Sequence, residues 1–358
     1  MKNIQLLLLL CIVLLCFKCA EPTTDVSSDK IKVGVFDGHG GAQTCIWETI
    51  AAIGLDSAME VRVVTSADIA NNVLDSINAI IIPGGGGSRQ YMNLGEANEK
   101  RIKKFIADGN GAVGICAGAY LFSSTPDYTC FAINGEQAID IVHDNRGHGL
   151  SKFTLNEEGK KIFYELSDRD TCYVIYYEGP VFVKNQADTI KNIVLATMES
   201  DVHTEGGAPE DMTNGKPFFI MNRYGKGGVV SSIAHPEATP GMMWMVPRMV
   251  RLALNKPFIS YNKSVVQPDL FNCELLMTVD DLKQESDYFQ ILLRGDSTQK
   301  IAALDWLEHH HSWEAKRWVQ GLLYDRLPSV RVRAAEYIAN THYLPYLKDL
   351  RSAYKTEL

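Results

Sequence analysis

Short apolar runs alternate with amphipathic stretches between residue 31 and about residue 115. The runs predict strands, and the stretches between them predict helices. The predicted strands cover residues 31–36, 59–64, 77–82 and 111–115, and the predicted helices cover 42–55, 66–74 and 96–107. The run 77–82 is apolar except at Asn78, which is typical of a strand buried on both faces. Strands that alternate with helices form parallel sheets with right-handed crossovers, so the pattern predicts an α/β fold with a mostly parallel, doubly wound sheet.

Three glycine-rich turns follow predicted strands, at residues 37–41, 84–87 and 114–118. The carboxyl ends of parallel strands meet at one edge of a sheet, and ligands of such sheets bind at that edge. The sequence therefore predicts a candidate functional site where these turns come together.

The third turn reads Gly114-Ile115-Cys116-Ala117-Gly118, with a cysteine between two glycines where a buried strand gives way to a helix. This is the pattern of a nucleophile elbow, a strained turn that leaves no room for a β-carbon at the flanking glycines. A helix that starts just after Cys116 would favour the thiolate form of its side chain. The alternative is a small buried cysteine beside glycines that packing requires.

A base and an orienting acid for this thiol stand together in His235-Pro236-Glu237, after a β-hairpin predicted over residues 218–233. His235 would accept the thiol proton, and Glu237 would fix the tautomer of the imidazole. By itself this run is also typical of an ordinary surface turn. Combined with the elbow, it predicts a catalytic triad of Cys116, His235 and Glu237.

The backbone can supply an oxyanion site. Gly84 and Gly85, in the four-glycine run after Pro83, offer N–H groups beside that of Ala117. The alternative, a phosphate-binding loop, lacks the Gly-Lys-Ser/Thr that completes such a motif. No motif in the chain predicts a cofactor.

Four further residues are candidates for substrate binding. They are Tyr120 just after the elbow, His39 in the first glycine turn, His148 in the irregular middle of the chain, and Glu178 in the segment 176–182. Either histidine has the chemistry to bind a substrate or a metal ion, although we assign no metal site. A polar loop residue is the alternative for the histidines and for Glu178.

Composition narrows the class of protein. Apolar residues make up 46% of the 358-residue chain and charged residues 22%, which allows packed cores and excludes global disorder. The net charge is −8 and no basic block is present, so nucleic acid is not an expected partner. At roughly 100–200 residues per domain, the length predicts about two domains.

The N-terminal residues predict export. Residues 1–19 combine a positively charged start with an apolar run of the size found in secretory signals, and a polar tether follows over 20–30. This arrangement resembles a bacterial lipoprotein signal with Cys19 as the acylated residue. Cys16 is a rival acylation site, and plain secretion is the alternative. A lipid anchor at Cys19 would hold the protein on a bacterial membrane in the cell envelope, facing the periplasm or the exterior.

Five of the eight cysteines follow the signal: Cys45, Cys116, Cys130, Cys172 and Cys273. They form no CxxC pair, so the spacing predicts no thiolate zinc site. An exported protein can form disulfides, and Cys130 with Cys172 is one pairing that the spacing leaves open.

The chain changes character near residue 258. Residues 258–296 predict a linker, and residues 297–358 predict helices that resemble HEAT-type repeats. The apolar stripe of these helices needs a cover, which we expect from the first domain, its linker or a protein partner. The stripe consists of Ile301, Leu304, Leu307, Val330, Ala334 and Ile338.

The glycine run after Pro83, the elbow 114–118 and His235-Pro236-Glu237, in this order, resemble the class I glutamine amidotransferase fold. The resemblance is closer to the amidotransferase-like domain at the N-terminus of biotin–protein ligases and in bacterial stand-alone proteins, and it covers residues 31–257. It implies that Cys116 is the nucleophile, His235 the general base and Glu237 the orienting acid.

The chain departs from the glutamine-using pattern. Those enzymes commonly place a glutamine shortly after the nucleophile, where this chain has Ala119-Tyr120, and the ATP-handling motif of a biotin ligase is absent from the sequence. The resemblance therefore implies hydrolysis or acyl transfer on a small-molecule or peptide amide or ester, not ligation. The alternative is a catalytically silent, membrane-anchored binding module whose helical repeats contact a partner.

Overall fold

The structure is a computed structural model that describes residues 30–357 except 145 and 204–207. These residues form two compact units, one with residues 30–261 and 268–279 and one with residues 262–267 and 280–357. Cys16, Cys19 and the rest of the predicted signal lie outside the described residues. Within the described ranges, no helix has the length and apolar character needed to cross a bilayer.

The strands belong to the first unit. In chain order they are β1 (Ile31–Phe36), β2 (Met59–Val64), β3 (Ala79–Ile82), β4 (Gly111–Ile115), β5 (Glu136–Ala138), β6 (His148–Leu155), β7 (Cys172–Tyr177), β8 (Phe182–Lys184), β9 (Asn192–Met198), β10 (Pro217–Tyr224), β11 (Gly227–Ser232) and β12 (Leu275–Leu276).

The helices divide between the two units. The first unit holds α1 (Gln43–Ile53), α2 (Ser66–Ala70), α3 (Gly87–Ala107), α4 (Ala117–Phe122), α5 (Glu157–Ile162) and α6 (Met245–Ala253). The second unit is built from α7 (Val279–Arg294), α8 (Ser297–His309), α9 (Ala315–Leu322), α10 (Pro328–Asn340) and α11 (Leu347–Glu357).

One large sheet organises the first unit. Strands β2, β1, β3, β4 and β11 lie side by side in that order and are parallel. Strands β10, β9 and β6 continue the sheet in antiparallel pairing, and β7 and β12 both pair with β6. The predicted α/β fold with a mostly parallel, doubly wound sheet is confirmed, with an antiparallel extension on one side.

The apolar patterning explains the parallel half of the sheet. Strand β3 is buried at every position because it lies between β1 and β4. Its apolar side chains meet those of α3, such as Ile102 and Ile106, in one continuous core. The predicted strand 77–82 thus supplies the centre of the sheet, and its carboxyl end leads directly into the glycine run 84–87.

Two predicted helices have different bounds in the structure. The helix expected over 66–74 ends at Ala70, because Asn72 adopts a left-handed conformation with φ 65°. Helix α3 begins at Gly87 and not at residue 96. It contains a kink at Gly95, where φ is 72°. The kink interrupts the helical periodicity of the sequence, so the part of the helix before Gly95 was not predicted.

The segment predicted as a linker contributes to both units. Leu275 and Leu276 form the edge strand β12, which pairs with Leu150 and Gly149 of β6. Residues 280–294 of α7 belong to the second unit.

The second unit has an apolar core of its own. Of the predicted stripe, Leu304, Leu307, Val330, Ala334 and Ile338 are buried in a cluster shared among its helices. Leu292 of α7 and Leu350 of α11 belong to the same cluster. Helix α7, which begins in the segment predicted as a linker, and α11 therefore supply part of the cover that the stripe requires, and the HEAT-like assignment stays a prediction.

Candidate active site

Cys116 lies at the turn between β4 and α4, with φ 51° and ψ −107°. A positive φ is uncommon for a residue with a side chain and marks a strained backbone. The Cys116 N–H donates to the Ser232 carbonyl of β11 at 2.8 Å, which ties the turn to the neighbouring strand. The sheet therefore holds the cysteine in the sharp turn that the elbow motif predicts.

The flanking glycines show why this turn excludes larger residues. A β-carbon at Gly118 would lie 2.0 Å from the Ile82 carbonyl oxygen, and one at Gly114 would lie 2.6 Å from the Gly118 carbonyl oxygen. Both distances are far inside van der Waals contact with rigid backbone. Only glycine fits at either position.

His235 and Glu237 form a buried pair just after β11. The His235 N–H donates to the Ile175 carbonyl at 2.8 Å, and the Thr239 hydroxyl donates to the His235 carbonyl at 2.8 Å. Glu237 follows in the short turn Pro236–Ala238, where its Oε1 lies 2.7 Å from His235 Nδ1. Both side chains are buried, so the carboxylate fixes the orientation of the imidazole in a dry environment.

The structure brings Cys116 to this pair. Burial alone would lower the pKa of His235, but the Glu237 carboxylate and the interactions with Cys116 and Cys45 outweigh it and hold the pKa well above its ordinary value. A raised imidazole pKa makes His235 a stronger acceptor for the proton of a neighbouring thiol. The three predicted triad residues therefore lie together in one buried cluster.

The glycine run 84–87 borders the same cluster. A β-carbon at Gly84 would lie 2.7 Å from His235 Cε1, so the Gly84 backbone lies directly against the imidazole. Gly85 has φ 141° and pairs with Gly41 of the first glycine turn, so two of the three turns meet as expected. In that first turn, His39 is exposed to solvent.

Tyr120 connects the nucleophile helix to a buried ion pair. Its hydroxyl donates to Asp140 Oδ2, which also lies 2.7 Å from Arg146 Nη1. The Val181 N–H donates to Asp140 Oδ1 at 2.7 Å. Burial and the Asp140 carboxylate raise the pKa of Tyr120 well above its ordinary value, so its hydroxyl stays protonated and acts as a donor. The sequence pattern did not single out Asp140, because no motif links it to the elbow.

The carboxyl end of β7 also contacts Cys116. The Cys116 thiol donates to the Tyr177 carbonyl at 3.5 Å, and the Tyr177 ring stacks on His148 with centroids 4.4 Å apart. Glu178 is half-buried, has φ 50° and follows Tyr177 directly. Tyr177 therefore lies between Cys116 and His148, and Glu178 is its neighbour in the chain.

Cys45 is a second residue near the triad that the sequence pattern did not single out. It lies in α1, which packs on the turn that carries Glu237. Its sulfur, a nitrogen of His235 and a carboxylate oxygen of Glu237 all lie within 4.8 Å of one another. The only signal in the sequence was its position just after the first glycine turn, at the edge where ligands bind.

None of the five cysteines in the described residues is in a disulfide. The Cys130–Cys172 pairing considered from the sequence is therefore not formed in this structure. Cys45, Cys116 and Cys172 are buried, whereas Cys273 is exposed.

A doubly wound sheet, a cysteine at a strained elbow and a buried histidine–glutamate pair are the features by which the chain resembles the class I glutamine amidotransferase fold. The chain belongs to the family described as biotin-protein ligase, N terminal, whose profile matches residues 31–253. The resemblance stated from the sequence is thereby confirmed. Among curated proteins, none matches the chain significantly.

Several solved structures are similar to this chain at low sequence identity and low TM-score. A ThuA-like protein from Bacteroides uniformis is 11% identical, covering 69% of this chain and 100% of that chain, with a TM-score of 0.44. The glutaminase domain of Trypanosoma brucei CTPS is 12% identical, covering 65% and 97%, with a TM-score of 0.41. A cytoplasmic protein from Salmonella typhimurium LT2 is 14% identical, covering 62% and 97%, with a TM-score of 0.40.

Proposed function

We propose that the protein is a cysteine-nucleophile hydrolase or acyl transferase that acts on an amide or ester through Cys116, His235 and Glu237. One observation carries this proposal: a cysteine at a strained elbow interacts with a buried imidazole whose Nδ1 is held by a carboxylate. Such an arrangement is needed to activate a nucleophile and has no evident role in packing. Glutamine-using enzymes commonly have a glutamine shortly after the nucleophile, and this chain has Ala119-Tyr120 there. This difference favours a substrate other than glutamine.

The chemistry follows from the positions of these groups. Glu237 occupies Nδ1, so Nε2 of His235 is the atom that accepts the Cys116 proton as the sulfur attacks the substrate carbonyl carbon. The carbon–sulfur bond forms, and the carbonyl oxygen becomes an oxyanion that the Ala117 N–H and the glycine run 84–87 stabilise. The imidazolium then protonates the leaving amine or alcohol as its bond to carbon breaks, which leaves a thioester on Cys116.

The second half of the reaction releases the acyl group. Water, or another nucleophile in an acyl transfer, gives a proton to His235 Nε2 as it attacks the thioester carbon. The carbon–sulfur bond then breaks, and the imidazolium returns the proton to the sulfur, which regenerates the thiol of Cys116. In this proposal Glu178 and His148 bind the part of the substrate that extends beyond Tyr177. Their support is their position next to the carbonyl that accepts the Cys116 hydrogen bond.

Alkylation with iodoacetamide at neutral pH tests the activation of Cys116, with Cys273 as the internal control. Cys273 is exposed and Cys116 is buried, so accessibility alone would make Cys273 react first. An ordinary thiol is only a few per cent ionised at pH 7, so full activation raises the rate by roughly 30-fold. We expect Cys116 to be alkylated faster than Cys273, and His235→Gln to abolish that advantage.

Acylation gives a direct reading of the chemistry. An activated nitrophenyl ester should leave an acyl group on Cys116, visible as a mass increase of the intact protein, and Cys116→Ser should accumulate no such thioester. If Cys273 reacts first and no acyl adduct forms on Cys116, the catalytic proposal is wrong. That result would support the alternative, a catalytically silent binding module.

A further inference from the structure

The triad histidine has a second thiol beside it. Cys45 is buried, and the Gly84 backbone lies against both its sulfur and the imidazole of His235. A β-carbon at Gly84 would lie 2.8 Å from Cys45 Sγ and 2.7 Å from His235 Cε1. The triad chemistry uses Cys116 and leaves Cys45 without a role.

The polar atoms around Cys45 are poorly satisfied. The second carboxylate oxygen of Glu237, Oε2, is buried and has no hydrogen-bond partner among the described residues. A buried acceptor without a donor is destabilising, so it calls for a proton or a cation. Glu237 Oε2, which lacks a hydrogen-bond donor in the described part of the chain, and the Cys45 thiol, which the triad does not use, thus lie close to the same imidazole.

We propose that Cys45, His235 and Glu237 form a binding site for Zn²⁺. A thiolate sulfur, an imidazole nitrogen and a carboxylate oxygen are the ligand types that zinc takes in proteins, and three protein ligands leave a fourth position for water. The thiolate disfavours Mg²⁺ and Ca²⁺, which prefer oxygen ligands alone. The sequence showed no sign of this site, because its donors come from α1 and from the turn after β11.

The distances between the donors suit this ion. Zinc bonds of about 2.3 Å to sulfur and about 2.1 Å to nitrogen and oxygen place tetrahedral ligands about 3.4–3.6 Å apart. The three donor atoms lie within 4.8 Å of one another, so shifts of about 1 Å would complete the coordination. On binding, the Cys45 thiol and His235 Nδ1 would each release a proton to solvent, and zinc would take the place of both protons.

Zinc at this site would also act on the triad, a consequence that rests on the proposed function. An imidazole that binds zinc through Nδ1 keeps its remaining proton on Nε2. It is then unable to accept the proton of Cys116. Zinc bound at this site would therefore inhibit the proposed reaction, because His235 could no longer act as the general base, although Cys116 would stay in place.

Zinc binding by the full-length chain tests the site without any activity measurement. Affinity is measured by competition with a chromophoric chelator, and Co²⁺ replaces Zn²⁺ to reveal the near-ultraviolet thiolate-to-cobalt absorption. Cys45→Ser should weaken zinc binding at least about 10-fold, since even loss of an outer-shell partner costs that much. The same substitution should also reduce the near-ultraviolet thiolate-to-cobalt absorption of the cobalt-loaded protein. Cys172→Ser, at another buried cysteine, is the matched control and should bind as the wild type does.

Two further variants keep the test decisive. Glu237→Gln retains the shape of the side chain and should also weaken zinc binding, which covers the case that Cys45→Ser misfolds. Cys116→Ser, which inactivates the proposed enzyme, should bind zinc like the wild type. Equal affinities for wild type and Cys45→Ser, or a loss of binding in Cys116→Ser, would overturn the proposal. An inactive protein that still binds zinc through Cys45 would refute only the proposed function.

Discussion

His148 is a buried histidine whose two ring nitrogens have no hydrogen-bond partner among the described residues. It lies at the start of β6, and its ring stacks on Tyr177 with centroids 4.4 Å apart. Burial lowers the pKa of His148 from 6.5 to about 4. The native protein therefore holds this imidazole neutral at a pH where the unfolded chain would protonate it.

The magnitude follows from proton linkage. Between pH 6.5 and pH 4 the unfolded chain binds a proton at His148 that the native state does not bind, so stability falls as the pH falls through this window. A difference of about 2.5 units at about 1.4 kcal/mol per unit corresponds to about 3 kcal/mol. Above pH 6.5 the group is neutral in both states, and its contribution no longer changes with pH.

His148→Phe removes the titration and keeps an aromatic ring against Tyr177. The free energy of unfolding is measured in urea at pH 7 and pH 4 for the wild type and the variant. We expect the wild type to lose about 3 kcal/mol more than the variant between these two values, for the linkage reason above. His39→Phe is the matched control at an exposed histidine and should retain the pH dependence of the wild type. If the wild type and His148→Phe lose equal stability, the inference that His148 is neutral and buried is refuted.

Two substitutions test the construction of the site by urea unfolding. Gly118→Ala should destabilise the protein by at least about 1–3 kcal/mol, because its β-carbon would lie 2.0 Å from the Ile82 carbonyl oxygen. Gly86→Ala, where the nearest atom would be 3.6 Å away, should be milder, and equal effects would contradict the steric argument. Asp140→Asn removes the carboxylate that the fully buried Arg146 faces, so we expect a loss of about 3–5 kcal/mol. An unchanged urea midpoint would show that this ion pair does not support the fold.

The alternation of apolar runs and amphipathic stretches was enough to predict the parallel half of the sheet. Strands β1, β2 and β4 begin and end where the pattern indicated, because side chains buried on a sheet must be apolar in consecutive or alternate positions. The elbow could also be predicted from the sequence. Its glycines are required by close contacts with residues a few positions away or with the adjacent strand. The His235–Glu237 contact spans two residues and needs only a local turn.

Other features depended on segments that are far apart in the sequence. Cys45 joins His235 only because α1 packs on the turn after β11, and Tyr120 meets Asp140 only because the segment after β5 folds back over α4. The burial of His148 likewise requires β7 beside β6. Spacing along a chain reports periodicity within an element and close neighbours in sequence. The packing of distant elements decides which side chains share a site and which polar atoms lose their water, and only the tertiary structure contains that information.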